Sequence, residues 1–123
     1  MPIRCLIVDD NESFLAAARV LLEREGLAVV GVASTGAEAL RETGALRPDV
    51  VLVDISLGEE SGLDLAPRLV DHRRSDNPVV VLISTRAEED VVDLIAGSGA
   101  AAFVPKAELS ASAIRRIVDD RSR

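Results

Sequence analysis

Five short apolar runs alternate with five helix-like segments along the chain. Val, Leu, Ile and Ala fill these runs with little polar alternation, which is typical of strands that helices cover on both faces of a parallel sheet. Strict alternation of strand and helix implies right-handed crossovers and therefore a doubly wound α/β fold. The predicted strands are Ile3–Val8, Leu27–Ala33, Val50–Asp54, Val79–Ile83 and Ala101–Val104.

Three of the predicted helices have clear start or stop residues. The first is predicted over Ser13–Glu25, and Gly26 supplies its stop. The second begins at the capping box Thr35–Glu38 and is closed by Pro48. Ser110 is predicted to cap the last amphipathic helix.

Of the other two helices, only the one after the third strand has a start that the pattern leaves open. Ile55–Glu60 is predicted as a loop, and Ser61–Asp64 could open the next helix with a capping box. Pro67 would then disturb the hydrogen-bond ladder, so this helix either begins nearer Asp64 or is bent. A further capping box at Thr85–Glu88 predicts the helix after the fourth strand.

The composition fits one domain in a reducing compartment. The chain has 123 residues, is 48% hydrophobic and has a formal net charge of -7. This charge repels phosphate backbones and anionic lipids, so neither nucleic acid nor a membrane is expected to bind the segment directly. The single Cys5 lies in an apolar run and has no disulfide partner. Without a signal segment or a run of spanning length, the chain is expected to be cytoplasmic.

One cation differs from all the others. Of the 14 cationic residues, 13 are Arg, and Lys106 is the only Lys. An ammonium is a compact point charge, whereas a guanidinium is a planar fork. Position 106 is therefore predicted to need a point charge. The alternative is that this Lys lies on a solvated loop by chance and has no special role.

Four of the five predicted strands end in a residue that can handle a phosphoryl group or a metal ion. In a sheet ordered 2-1-3-4-5, the flavodoxin-like (βα)5 arrangement, these ends converge on one crevice. Three carboxylates there repel, which raises the pKa of at least one unless a cation neutralises them. Oxygen ligands without His or thiolate favour Mg²⁺. The residues are Asp9 and Asp10 after the first strand, Asp54 at the end of the third, Ser84 after the fourth and Lys106 after the fifth.

With these residues the chain resembles the receiver domains of two-component response regulators. The matching segments cover the whole chain in family order. The ending Phe103–Lys106 is most similar to receivers that precede LuxR-type helix-turn-helix domains. The matching segments are Leu6–Asp10, Thr35–Leu40, Pro48–Asp54, Ser84–Thr85 and Gly99–Lys106.

The resemblance implies a phosphorylation switch rather than an enzyme with a separate substrate. Asp54 would accept a phosphoryl group from a sensor histidine kinase or a histidine phosphotransfer protein and would later lose it by autodephosphorylation. Asp10, Asp54 and the backbone carbonyl of Ser56 would bind Mg²⁺, with Asp9 acting through water.

The resemblance also implies how the site would communicate with the surface. Ser84 and Lys106 would contact the phosphoryl oxygens, and Phe103 would be the aromatic residue that turns inward on activation. The face around the fourth and fifth helices would then change, which would control an output domain or a partner and would allow a homodimer to form on phosphorylation.

Three positions depart from the family pattern. Members commonly have a cis Pro directly after the Lys, whereas Ala107 follows Lys106 here, and a non-proline cis bond costs several kcal/mol. Gly58 stands where the loop after the acceptor usually carries Pro, which predicts more backbone freedom. Thr85 occupies a position often held by a smaller residue, and its methyl group is expected to restrict access to the site.

Other function classes remain as alternatives. A flavodoxin-like protein would need aromatic residues and a hydroxyl-rich loop after the first strand, and both are missing. A phosphatase of the haloacid dehalogenase type would need Asp two residues after the nucleophile, where Ser56 follows Asp54. A pseudo-receiver that only scaffolds partners is the remaining alternative, and intact Asp10, Asp54 and Lys106 argue against it.

Residues 1–123 are expected to form one receiver domain without an output domain, either stand-alone or excised at a linker. His72 is interpreted as a solvated helix end rather than a phosphohistidine. The glycine pattern at Gly97–Ala102 precedes a strand instead of following one, which argues against a dinucleotide site.

Overall fold

Five parallel strands form the central sheet: β1 Arg4–Val8, β2 Ala28–Ala33, β3 Val50–Asp54, β4 Val79–Ser84 and β5 Ala102–Pro105. Their order is β2-β1-β3-β4-β5, which confirms the predicted doubly wound, flavodoxin-like fold. The structure is a computed structural model that describes residues 2–70 and 77–121. His72 lies outside these described residues, so its interpretation stays a prediction.

Helices cover both faces of this sheet. They are α1 Glu12–Arg24, α2 Gly36–Leu46, α3 Gly62–Leu65, α4 Val92–Ala96 and α5 Ala111–Arg121. Three 3-10 turns accompany them, at Ala66–Leu69, Glu88–Asp90 and Lys106–Glu108. None of the helices in the described part of the chain has the length and apolar character needed to cross a membrane.

The core is divided by the sheet into two layers, as expected for strands without polar alternation. Cys5 and Ile7 pack into one layer, whereas Leu6 and Val8 pack into the other. All five residues of β3 are buried. Burial raises the pKa of the Cys5 thiol to about 12, so this side chain is an unreactive apolar residue.

Two predicted helix caps are confirmed and one is wrong. The Thr35 hydroxyl accepts a hydrogen bond from the Glu38 N–H at 3.1 Å, and the Ser110 hydroxyl accepts one from the Ala113 N–H at 3.1 Å. Thr85 caps nothing, because the 3-10 turn Glu88–Asp90 starts after Ala87 without a side-chain cap. The neighbouring hydroxyl of Ser84 instead organises this loop.

The segment after β3 is more ordered than the predicted loop. Ser56–Leu57 pairs antiparallel with Glu60–Ser61, so a small hairpin follows Asp54. Leu57 is 1% exposed and anchors the hairpin in the core, while Gly58 supplies a left-handed turn residue with φ 62°. The prediction of an irregular loop is wrong because burial of Leu57 could not be recognised from the local pattern.

Helix α3 resolves the choice that the sequence left open. The Ser61 hydroxyl accepts a hydrogen bond from the Leu63 N–H at 3.2 Å, and the helix begins at Gly62 rather than nearer Asp64. It then changes to the 3-10 turn Ala66–Leu69, which contains Pro67. The missing N–H of proline accounts for this change of form.

Gly62→Ala is expected to lower the free energy of unfolding by about 3 kcal/mol, because overpacking against backbone cannot be relieved by a rotamer change. A Cβ at Gly62 would overlap the backbone carbonyl oxygen of Asp54. The matched control is Gly44→Ala in α2, where a Cβ meets nothing within 4 Å. That control should raise the free energy by about 0.5–1 kcal/mol. Urea unfolding measures both, and equal stability of the two variants would contradict the packing argument.

Candidate functional site

The carboxyl edge of the sheet collects the residues that the sequence singled out. Asp9 and Asp10 follow β1, Asp54 ends β3, Ser84 ends β4, and Lys106 follows β5. Because β1 and β3 are neighbours, their ends meet where the order of the strands reverses. The predicted convergence of strand ends is therefore present.

Three carboxylates form the centre of this edge. One oxygen from each of Asp9, Asp10 and Asp54 lies within 4.8 Å of the other two. Asp9 is 0% exposed and Asp54 is 7% exposed, whereas Asp10 is open to solvent. The cluster is thus buried on one side and accessible on the other.

Lys106 places its ammonium between two of these carboxylates. Its Nζ lies 2.6 Å from Asp9 Oδ2 and 3.2 Å from Asp54 Oδ2. The Lys106 side chain is 13% exposed, so the pairing occurs away from bulk water. Asp9 Oδ2 is paired by charge but receives no hydrogen bond of good geometry from the described residues.

Backbone N–H groups hold the other oxygen of each buried carboxylate. The Asn11 N–H donates to Asp9 Oδ1 at 2.9 Å, and the Ser56 N–H donates to Asp54 Oδ1 at 3.1 Å. Each donor lies two residues after its acceptor, in the loop that leaves the strand. The strand ends therefore fix both carboxylates before any ligand arrives.

Burial and charge shift the pKa values in this cluster. Desolvation raises the pKa of Asp54 and the Asp9 charge adds to this, while the Ser56 N–H and Lys106 oppose it; the net direction is upward. Burial alone would lower the pKa of Lys106, but hydrogen bonds and attraction from Asp9 and Asp54 outweigh it and raise that pKa. Lys106 is therefore charged at neutral pH, and ionised Asp54 is disfavoured without a further cation.

Without divalent metal, Asp54→Asn is expected to be more stable than the wild-type protein at neutral pH. Because the pKa of Asp54 is raised in the folded state, ionised Asp54 lowers the free energy of unfolding. This loss of stability disappears as pH falls through the raised pKa. The stability difference should shrink toward about pH 4, near the ordinary pKa of Asp. Urea unfolding at several pH values measures it. A difference that grows on acidification would contradict the assigned direction.

Ser84 ends β4, and Phe103 lies on the neighbouring strand β5. The Ser84 hydroxyl is buried and accepts a hydrogen bond from the Arg86 N–H at 3.0 Å, so it caps the β4–α4 loop in this state. Phe103 is half-buried on β5 and lines a groove of about 780 Å³ between the β4–α4 loop and α5. Thr85 is exposed and lines the same groove, and its predicted restriction of the site stays a prediction.

The remaining departures from the family pattern also have a structural outcome. The described residues contain no cis peptide bond, so Lys106 and Ala107 are joined in the trans form. Gly58 is part of the hairpin turn, where a Cβ would lie 3.5 Å from Asp10 Oδ2. Because Gly58 has no Cβ, it makes no side-chain contact with Asp10 Oδ2 on this side.

Sequence reasoning missed Phe14 as a member of this site. The Lys106 Nζ lies 4.3 Å from the centroid of the Phe14 ring, a cation–π distance. Phe14 is one of only two aromatic residues in the chain. That rarity was the available signal, but helical periodicity alone does not indicate which residue the ring contacts.

Glu60 was missed as well. Its Oε1 and Oε2 lie 3.2 and 3.1 Å from the Gly36 backbone nitrogen, which donates to both. A Cβ at Gly36 would overlap Glu60 Oε1, so the contact depends on glycine at this position. A carboxylate at the first turn of α2 is favourable, and it ties the hairpin after Asp54 to that helix. The two residues are 24 positions apart, which explains why no local pattern reveals the contact.

The donor set fits a hard divalent cation. It consists of carboxylate oxygens only, and one of the three carboxylates is solvent-accessible. Asp9 Oδ2 is already paired with Lys106 at 2.6 Å, so the solvent-accessible Asp10 offers the most open oxygens to a cation. An acidic triad of this kind, Asp9, Asp10 and Asp54, is typical of the Mg²⁺ site in receiver domains.

Comparison with known proteins gives a consistent result. Residues 5–119 match the family described as the response regulator receiver domain. The DNA-binding response regulator MtrA of Mycolicibacterium smegmatis is 38% identical over 107 residues, which cover 84% of this chain and 43% of that protein. The receiver domain of the response regulator NarL from Mycobacterium tuberculosis is 29% identical, with a TM-score of 0.80 over 96% of this chain and 97% of that one.

A third relative carries a modified acid. A response regulator from Burkholderia pseudomallei, solved with a phosphorylated aspartic acid, a calcium ion and citrate, is 29% identical with a TM-score of 0.75. The match covers 94% of this chain and 66% of that one. The chain spans between 27% and 55% of the full length of the first curated relatives.

Proposed function

The chain belongs to the response regulator receiver domain family, and from that premise we propose that it is a phosphorylation switch whose acceptor is Asp54. Receiver domains are signalling modules that partner histidine kinases in two-component systems. One observation carries the proposal: Asp54 lies in a carboxylate cluster, with Lys106 3.2 Å from its Oδ2. The phosphorylated aspartic acid in the Burkholderia pseudomallei relative supports the same chemistry here.

The proposed reaction moves one phosphoryl group. A carboxylate oxygen of Asp54 attacks the phosphorus of a phosphohistidine on the kinase or phosphotransfer protein. The new P–O bond forms as the P–N bond breaks, and the imidazole leaves. Apart from the acyl phosphate that forms on Asp54, the protein contributes position and charge. Later attack by water on the same phosphorus returns Asp54 to its carboxylate form.

The metal-binding residues would be Asp10, Asp54 and the backbone carbonyl of Ser56, with Asp9 acting through water. A bound Mg²⁺ supplies positive charge to the phosphoryl oxygens in transfer reactions of this class. The closeness of the Asp10 and Asp54 oxygens, which lie within 4.8 Å of each other, supports this assignment. Lys106 could then contact a phosphoryl oxygen other than those to which Mg²⁺ supplies charge.

Ser84 would couple the site to the surface. Its hydroxyl now accepts a hydrogen bond from Arg86, and donation to a phosphoryl oxygen would draw it toward Asp54. Movement of the β4–α4 loop would open space for Phe103, which lines the groove next to α5. The altered face would control an output domain or a partner, and could support a homodimer of phosphorylated chains.

The chain is further proposed to act as a single receiver domain of a cytoplasmic protein, with any output activity outside residues 1–123. A pseudo-receiver that only scaffolds partners is the competing function. The paired Lys106 and the intact carboxylates argue against it, because a scaffold has no need for an ion pair buried at this edge.

The switch is tested by adding a phosphoryl mimic with Mg²⁺ and following amide chemical shifts. Changes are expected across Thr85–Ser110, because charge-assisted hydrogen bonds of about 1.5–3 kcal/mol each can shift a two-state equilibrium. Lys106→Arg should still accept phosphate but respond weakly, since a planar fork keeps the charge without the compact reach. Confinement of all changes to the neighbours of Asp54 would refute the coupling.

A further inference from the structure

We infer that Phe14 is a positioning residue, which holds the Lys106 ammonium at the phosphoryl site through the face of its ring. The inference rests on the proposed function of Asp54 and extends it to a residue on α1. Its basis is the 4.3 Å distance between the Lys106 Nζ and the centroid of the Phe14 ring.

Three groups surround the Lys106 ammonium, and they differ in kind. Asp9 and Asp54 attract it from one side by charge, at 2.6 and 3.2 Å. The negative face of the Phe14 ring lies within the distance at which a cation is attracted. The Lys106 side chain is only 13% exposed, and such contacts are stronger in a desolvated setting.

Asn11 holds both Asp9 and the backbone of Phe14 in position. The Asn11 N–H donates to Asp9 Oδ1 at 2.9 Å, and the Asn11 side-chain oxygen accepts from the Phe14 N–H at 3.0 Å. The backbone of Phe14 is therefore tied to Asp9 through the capping residue of α1. This tie limits how far the ring can move from the Lys106 ammonium.

The ring has a role that the carboxylates cannot fill. A metal ion would compete with Lys106 for the oxygens of Asp9 and Asp54, and phosphorylation would turn one Asp54 oxygen into the bridging oxygen of an acyl phosphate. The negative face of the ring does not attract an anionic phosphoryl group, and a Mg²⁺ ion held by carboxylate oxygens keeps its remaining waters rather than binding the ring. Phe14 therefore retains the ammonium next to Asp54 when the carboxylates are engaged elsewhere, which keeps the flexible four-carbon stem of Lys106 aimed at the phosphoryl oxygens.

The test is a double-mutant cycle with acetyl phosphate as donor and saturating Mg²⁺. Phe14→Leu keeps an apolar side chain but removes the ring, and it should slow labelling of Asp54 about fivefold, within the range of a cation–π contact. Phe14→Tyr keeps the ring and should restore the rate to within about twofold. In a Lys106→Met background, Phe14→Leu should have no further effect, because there is no cation left to position. An equal slowing in both backgrounds would show that Phe14 only packs, and would overturn the inference.

A second readout does not depend on phosphoryl transfer. Because Lys106 is the only Lys, selective labelling gives a single lysine ε-CH₂ signal. The ring should shift this signal upfield, the shift should persist in saturating Mg²⁺, and Phe14→Leu should abolish it. Loss of the shift on adding Mg²⁺ to the wild-type protein would overturn the inference. A protein that shows the ring shift but cannot be labelled would contradict the proposed function alone.

Discussion

Asp54→Asn is expected to reduce phosphorylation by acetyl phosphate and Mg²⁺ to below detection. The amide keeps the size of the side chain but lacks the nucleophilic carboxylate oxygen, and no other described acid has the same surroundings. Asp9 is fully buried. Asp10 is exposed, and among the described residues Lys106 forms its ion pairs with Asp9 and Asp54 rather than with Asp10. Intact mass measurement before and after incubation counts the phosphoryl groups added.

The control for this substitution is Asp64→Asn, which makes the same chemical change at an exposed acid on α3. That variant should be labelled at the wild-type rate. Circular dichroism should show Asp54→Asn folded, because removing a carboxylate with a raised pKa is expected to stabilise the protein without metal. Labelling that persists unchanged in Asp54→Asn would place the acceptor elsewhere.

Removal of Mg²⁺ by a chelator is expected to stop phosphorylation while the fold stays intact. The carboxylates of Asp10 and Asp54 repel each other and the incoming phosphoryl group, and Lys106 supplies only one compensating charge. The two core layers consist of apolar side chains and do not include the cluster, so circular dichroism should be unchanged in the chelator. Restoring Mg²⁺ should restore the rate.

Asp10→Asn separates metal binding from general charge effects. Asp10 is the exposed member of the cluster, and its substitution should weaken Mg²⁺ binding about tenfold or more. Calorimetric titration with Mg²⁺ alone measures this affinity, with Asp64→Asn again as the charge-matched control. Labelling of the wild-type protein at the same rate with and without excess chelator would count against the metal site.

The sheet and the location of the site could be predicted from the sequence because both depend on short-range patterns. An unbroken apolar run such as Val50–Val53 has to be buried on two faces, which requires helices on both sides of a parallel sheet. Strict alternation then determines the direction of the strands, and the polar residue that ends each strand must lie at their carboxyl edge. The burial of β3 and the closeness of Asp9, Asp10 and Asp54 follow from this reasoning.

Only the tertiary structure decided the contacts between distant segments. The hairpin after Asp54 depends on burial of Leu57 and on the Glu60 carboxylate at Gly36, which is 24 residues away. Ser84, rather than Thr85, caps the next loop because its hydroxyl is buried at the strand end and reaches the Arg86 N–H.

The environment of Lys106 shows the same division between sequence and structure. The sequence identified it as the only Lys and placed it after the fifth strand. Its pairing with Asp9 and its position over the Phe14 ring join β5 to β1 and α1, across more than 90 residues. Periodicity reports which face of an element is buried, but it carries no information about which residue on another element packs against that face. Such partners are determined only when the helices dock on the sheet.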